Sequence, residues 1–147
     1  MLNDLHYRRL NSTDVCKLLP GYCRYLREFD HQAREEDYRD FLNEMLEQSW
    51  VIGMGGFAGD ELMAFVLGDL SFSPLRRSRS VNIFDLYVDK RMRGLGTVNI
   101  LLKNYYAYCK EQGVDRIFGN AEPSTLNFFL RSGWRRSHQY LIVRDLI

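Results

Sequence analysis

Asp85-Leu86-Tyr87-Val88-Asp89-Lys90-Arg91-Met92-Arg93-Gly94-Leu95-Gly96-Thr97-Val98 decides how this chain folds. It begins inside 81–88, a run rich in β-branched and aromatic residues that predicts a strand. Beyond it Val98, Leu101, Leu102, Tyr105, Tyr108 and Cys109 fall on one face of a helix predicted over 97–112, with Gly113 as its C-terminal stop. A strand therefore runs through Gly94-Leu95-Gly96 straight into a helix. The first turn of a helix exposes unpaired N–H groups and the positive end of its dipole, a setting that suits phosphate. Glycines let the backbone approach an anion and adopt dihedrals that other residues avoid. Lys90, Arg91 and Arg93 add three positive charges within four residues. The turn lacks both the Gly-Lys-Ser/Thr of a nucleoside triphosphate loop and the third glycine of a dinucleotide-binding turn. A basic Gly-x-Gly turn alone also fits a solvated connection, so the flanking chain has to decide.

On the N-terminal side, 5–10 reads as a short first strand, and Asn11, Ser12, Thr13 and Asp14 offer helix N-caps. Pro20-Gly21 predicts a break or kink near 19–21, because proline lacks a donor and clashes with the preceding turn. Helix is expected to resume from Tyr22 to about Phe29. Tyr38, Phe41, Leu42, Met45 and Leu46 stand at helical spacing and predict a core-facing amphipathic helix over about 35–48. Strands follow at 50–58, where Gly53, Gly55 and Gly56 imply a bulge or close backbone packing, and at 61–70. Gly59-Asp60 joins them, and a polar, arginine-bearing connection spans 71–80. Past the central unit, 114–120 predicts a strand, 123–132 a short helix, and 134–147 one or two closing strands. Hairpin-linked strands followed by a β-α-β unit give a mixed α/β chain that is not doubly wound.

The chain has 147 residues, 46% hydrophobic and 27% charged, which fits one packed domain over 1–147 rather than a disordered chain. A net charge of +1 does not favour adhesion to nucleic acid or to an anionic membrane. No apolar run approaches the roughly 18–20 residues of a membrane span, and residues 1–6 lack the features of a signal peptide. A cytoplasmic location is expected. Cys16, Cys23 and Cys109 form no Cys-x-x-Cys pair, so they read as buried free thiols and no metal site is expected.

The stretch 85–96 resembles the central motif of GNAT acetyltransferases, in which an x-Leu-x-Val strand precedes an Arg-Gly-x-Gly-x-Gly/Ala turn. Phe128-Phe129-Leu130-Arg131-Ser132-Gly133-Trp134 is similar to the family's Phe-Tyr-x-x-x-Gly-Phe signature. Glu122-Pro123-Ser124 with Asn127-Phe128 resembles the diamine acetyltransferase branch, one residue out of spacing. The resemblance spans about 4–146. It implies a central mixed β-sheet flanked by about four helices, acetyl-CoA as cosubstrate, an amine acceptor, and a possible homodimer through the C-terminal strands. It also implies that the N–H groups of Arg93, Gly94, Leu95, Gly96, Thr97 and Val98 cradle the cofactor's pyrophosphate. The edge at Leu86, Tyr87 and Val88 would bond the pantetheine amides, in an opening between 81–88 and 114–120, with Glu122 and Phe129 near the cofactor. Two positions depart from the pattern: Val98 replaces the usual Gly or Ala, and Phe129 stands where the family often has a general-acid tyrosine.

Direct attack of an amine on a thioester needs a base for the amine and an acid for the departing thiolate. Asp85 is the candidate base, against a structural strand aspartate. Tyr87, two residues on and so on the same face, is the candidate acid, against core packing; Tyr140 is a further one by proximity. His31, between the first two helices, can act as a base near neutral pH or be a solvated loop histidine. His138 has the same two readings, and His6 reads as structural. Glu28, Asp30, Glu35, Glu36 and Asp37 against Arg34 either attract a cationic amine or form a solvated helix start. Arg76, Arg77 and Arg79 point the other way, toward an anionic acceptor or a partner. Without interleaved aromatics they make a poor nucleic-acid site.

Overall fold

The computed structural model describes residues 4–29 and 32–147. Its elements run β1 (His6–Arg9), α1 (Val15–Arg27), α2 (Glu35–Glu47), β2 (Val51–Ala58), β3 (Glu61–Ser73), β4 (Ser78–Val88), α3 (Thr97–Glu111), β5 (Arg116–Gly119) and α4 (Pro123–Arg131), with 3-10 turns at Ser12–Asp14 and Lys90–Met92. Among the described residues one mixed sheet has the order β1-β2-β3-β4-β5. Its first four strands are antiparallel, and β5 runs parallel to β4. Among the described residues no helix is long and apolar enough to cross a membrane.

Two apolar layers hold the sheet. On one face Leu18, Leu19 and Cys23 of α1 and Leu42 and Leu46 of α2 pack against Phe57, Phe65, Leu67 and Tyr87. On the other Leu101, Leu102, Tyr105 and Cys109 of α3 pack against Ile52, Met54, Val66, Val81 and Val88. The Tyr105 hydroxyl is fully buried and donates to the Ile52 carbonyl at 2.8 Å, so its burial leaves no polar group unsatisfied.

Four expectations are corrected. The helix does not break at Pro20-Gly21: α1 runs unbroken from Val15 to Arg27. Pro20 is exposed, so the carbonyl it leaves unbonded, on exposed Cys16, faces water. Gly21 is buried, with a methyl there only 3.6 Å from Leu62, and that closeness seats α1 on β3. The connection at 71–80 is largely strand, because Ser73 pairs with Ser78 and shortens the turn to 74–77. The closing strands over 134–147 do not form; residues 135–147 are exposed and outside any strand, since no neighbour pairs with their backbone groups. Finally, Cys23 and Cys109 are buried but Cys16 is exposed; it sits in the first turn of α1, where Arg39 is its neighbour.

Asn11 caps the turn before α1 by accepting from the Thr13 N–H, while the Asp14 carboxylate accepts from the Asn11 N–H. Burial opposes ionisation of Asp14, yet a two-point bond from Arg8, at 2.9 and 2.7 Å, holds its pKa below the usual carboxylate value. β1 is thereby tied to the entry of α1.

Candidate active site

Strand β4 forms the centre of the site. Its register against β3 slips between Leu67 and Gly68, where Leu67 faces Asp85 and Gly68 faces Ile83, leaving Phe84 as the extra residue of a bulge. The bulge reverses the alternation of faces. Val81 and Ile83 meet the α3 layer before it, and Leu86 and Val88 meet that layer after it. Asp85 and Tyr87 are turned to the α1 side.

Pairing of β4 with β5 covers only Ser80↔Arg116 to Ile83↔Gly119. Past Ile83 the two strands part, and one edge of β4 is open. The Asp89 N–H bonds the Met63 carbonyl at 2.7 Å. Antiparallel alternation from that point aims the peptide groups of Leu86 and Val88 at the open edge and those of Tyr87 at β3. Arg93 takes one open-edge acceptor: its Nε donates to the Val88 carbonyl at 2.9 Å.

The loop then turns through Gly94 and Gly96, at φ 78 and 77, into α3. Among the described residues, no atom beyond the adjoining residues lies within 4 Å of where a Cβ would stand at either glycine. The space in front of the first helical turn is therefore open, and the N–H groups there have no acceptor ahead of them in the helix. Thr97 is buried, and its Oγ1 donates to the Met92 carbonyl at 2.9 Å, locking the helix start to the loop. Val98 packs into the α3-side core, so its bulk is turned away from the loop. Leu95 is partly exposed at the tip.

Two of the loop's basic side chains, Arg91 and Arg93, serve this frame. Arg91 bonds the Asp89 carboxylate at 2.9 Å and Glu61 at 2.6 Å, and Arg24 approaches Asp89 at 3.2 Å. The Arg91 bond holds the buried Asp89 below the usual carboxylate pKa. Arg93 pairs with Glu28 and lies over the Tyr87 ring at 5.6 Å; its own N–H reaches the Lys90 carbonyl at 3.4 Å. Of the loop residues expected to offer N–H groups, Arg93 therefore has its donor occupied, and its guanidinium braces α1 and β4.

Asp85 is held by two residues that the sequence reading missed. Tyr22 donates to its Oδ2 at 2.8 Å and Tyr25 to its Oδ1 at 2.9 Å. Burial raises the Asp85 pKa, against the lowering effect of both hydroxyls. Tyr22 and Tyr25 are themselves pushed well above the usual tyrosine pKa by burial and by the carboxylate. They sit three residues apart on the sheet-facing side of α1, and their partner Asp85 stands on β4, 63 and 60 residues away in the sequence. Tyr22, Tyr25, Phe65 and Tyr87 form one ring cluster with centroids 5.6–5.8 Å apart. Tyr87 shares Asp85's face but is 6% exposed within this cluster. Burial raises its pKa, with Asp89 and Glu28 adding to the effect.

Glu122 is exposed and precedes α4, where its carbonyl accepts from Thr125 and Leu126. Phe129 packs at 5.4 Å against both Phe128 and Trp134 and brings no hydroxyl to the site. Tyr140 is 93% exposed on the arm that forms no strand, and His138 is exposed on the same arm. Asp30 and His31 lie outside the described residues. In the acidic segment Arg34 pairs with Glu36 and Asp37, and Glu28 pairs with Arg93, so much of its charge is neutralised locally. In the hairpin Arg77 has φ 51, and Arg79 stacks on Phe72 and donates to the Gln112 carbonyl.

The fold that carries this arrangement is shared with known proteins. The model of the acetyltransferase (GNAT) family matches residues 15–134, and the chain belongs to that family. No curated protein matches the chain significantly. Among solved structures, an integron cassette protein from the mobile metagenome of V. cholerae is 18% identical, with a TM-score of 0.83 over 97% of this chain and 93% of that one. An aminoglycoside acetyltransferase from an uncultured soil metagenomic sample, in complex with sisomicin, is 17% identical, with a TM-score of 0.79 over 99% and 97%. A predicted acetyltransferase with acetyl-CoA from Clostridium acetobutylicum is 15% identical, with a TM-score of 0.75 over 95% and 96%. At these identities the likeness is one of fold.

Proposed function

We propose that the chain is an acetyl-CoA-dependent N-acetyltransferase that modifies a primary amine of a small molecule or peptide by direct attack on the thioester. The observation that carries this reading is the parting of β4 from β5 beside the Gly94–Gly96 turn. Together they offer an extended edge for an amide-bearing arm and unpaired N–H groups for a pyrophosphate at its end. The open space at both glycines fits such an anion, and a side chain there would narrow it. The N–H groups of Gly94, Leu95, Gly96, Thr97 and Val98 would hold the phosphates, and the peptide groups of Leu86 and Val88 the pantetheine. Acetyl-CoA, when bound, supplies an activated acetyl group open to nucleophilic attack.

Asp85 is the proposed base. Burial that raises its pKa makes it a better proton acceptor than a surface carboxylate, while Tyr22 and Tyr25 orient it. Tyr87 is the weaker half of the proposal, because its ring is buried in the aromatic cluster. A cytoplasmic setting fits the free thiols of all three cysteines.

The test is calorimetric titration with acetyl-CoA, followed by a free-thiol release assay against polyamines, aminoglycosides, amino acids and short peptides. No binding of acetyl-CoA sinks the reading. A second reading rests on Phe129: a domain that binds acyl-CoA without turnover, as a sensor or partner-binding subunit. Transfer to any amine of the panel that is abolished by Asp85→Ala rules this out.

A further inference from the structure

Arg93 stands one residue before the Gly94–Gly96 turn, and its side chain reaches back to the open edge of β4. Its Nε donates to the Val88 carbonyl at 2.9 Å, the length of a ladder bond from a neighbouring strand. Its Nη2 pairs with Glu28, the C-cap of α1, and its guanidinium lies over the Tyr87 ring at 5.6 Å. A side chain thus stands at Val88 where a donor of the next strand would stand, and it ties that edge to α1. Arg91 is bonded differently. Its partners are the side-chain carboxylates of Asp89 and Glu61, so it occupies no backbone acceptor of the open edge.

We propose that Arg93 is a latch on the cofactor edge: in the free chain it holds the Val88 carbonyl and Glu28, and acetyl-CoA displaces it from that carbonyl on binding. This rests on the reading of the open edge as the pantetheine site. A pantetheine amide that bonds β4 as an added strand needs the acceptor that Arg93 holds, and the two donors compete for one place in the plane of the sheet. The latch is built to open. The Arg93 and Glu28 side chains are 45 and 28% exposed, so water solvates both as they part, and an ion pair in that setting holds weakly. Buried Met92 and Thr97 anchor the backbone on either side, so release asks only for a change of side-chain rotamer. A ligand that needs the open state binds more weakly in proportion to the fraction of chains that are closed to it. Loosening the latch therefore tightens binding.

Glu28→Gln removes the ion pair, and Arg93→Ala removes the whole latch. Both variants and the parent are titrated with S-acetylpantetheine, followed by the NMR shifts of the Leu86 and Val88 amides. This probe has no phosphates, so the charge lost in Arg93→Ala does not act on it. Affinity is expected to rise about two- to fivefold in Glu28→Gln and about tenfold or more in Arg93→Ala. A second measurement needs no substitution: the Arg93 Nε–H of the parent is expected to exchange slowly with water in the free chain and fast when S-acetylpantetheine saturates the site. An Nε–H that stays protected at saturation overturns the latch, as do variants that bind the fragment no more tightly than the parent. A parent that binds neither the fragment nor acetyl-CoA overturns the latch together with the function on which it rests.

Discussion

Replacing Gly96 by alanine separates the cost of a left-handed backbone from the loss of an anion cradle. Gly96 has φ 77, and among the described residues no atom beyond its chain neighbours lies within 4 Å of the site of its missing Cβ. The new methyl therefore meets no other segment of the protein, and the folded chain loses only the left-handed penalty of about 1–2 kcal/mol, a few degrees in Tm. On the ligand side the methyl projects into the space proposed for the pyrophosphate. Displacing one or two charge-assisted hydrogen bonds at about 1.5–3 kcal/mol each weakens acetyl-CoA binding at least about tenfold. Gly113 supplies the control: at the other end of α3 it has φ 76, and its added Cβ would stand at an ordinary 3.7 Å from Arg79. Gly113→Ala is expected to lose a similar Tm and bind as the parent does. Calorimetric unfolding and titration with acetyl-CoA read both quantities. Equal affinities for the two variants, at equal loss of Tm, would refute the cradle.

Four further substitutions test separate parts of the structure. Asp85→Asn lowers kcat/KM in the thiol-release assay by about 10²–10⁴-fold. Because burial raises the Asp85 pKa, its stabilising contribution is present below the ordinary carboxylate value and lost as pH rises through the raised one. Asp85→Asn is therefore no less stable than the parent at pH 7 in calorimetric unfolding. Tyr25→Phe removes a hydroxyl that favours the ionised carboxylate, so the acid limb of the kcat/KM profile moves to higher pH; an unmoved limb would separate Asp85 from the chemistry. Arg8→Ala acts at Asp14, whose depressed pKa contributes stability above the ordinary carboxylate value and loses it as pH falls through the lower one. The variant costs about 1–3 kcal/mol at neutral pH, and its acid-unfolding midpoint shifts upward. Gly68→Ala forces a methyl to within 2.7 Å of the Tyr105 hydroxyl and 2.9 Å of the Asn82 carbonyl. A loss of about 1–3 kcal/mol follows, measurable by denaturant unfolding.

Much of the site was legible because its signals are local. A glycine that must take a positive φ, and a helix whose first N–H groups lack acceptors, are properties of consecutive residues, and Gly94, Gly96 and the stripe of α3 announce them. What was missed depends on distant contacts. Pro20 is a breaker by its own chemistry, but with solvent on its outer side and Gly21 seated on β3 the helix continues and delivers Tyr22 and Tyr25 to Asp85, some sixty residues away. The bulge at Phe84 carries no glycine or proline to mark it. It is set by the pairing of β3 with β4, and it decides which face Asp85 meets.

The arm at 134–147 shows the same division from the other side. Its apolar pattern fixes what that segment needs, a covered strand position, because side-chain hydrophobicity is local information. Whether a neighbour covers it is a question of tertiary geometry, and in this structure residues 135–147 are exposed and outside any strand. By itself the sequence determined the family, the glycine turn into α3 and the order of elements as far as α4. The tertiary structure decided the opening between β4 and β5, the clamp on Asp85 and the exposure of the arm, since each arises where separate segments meet.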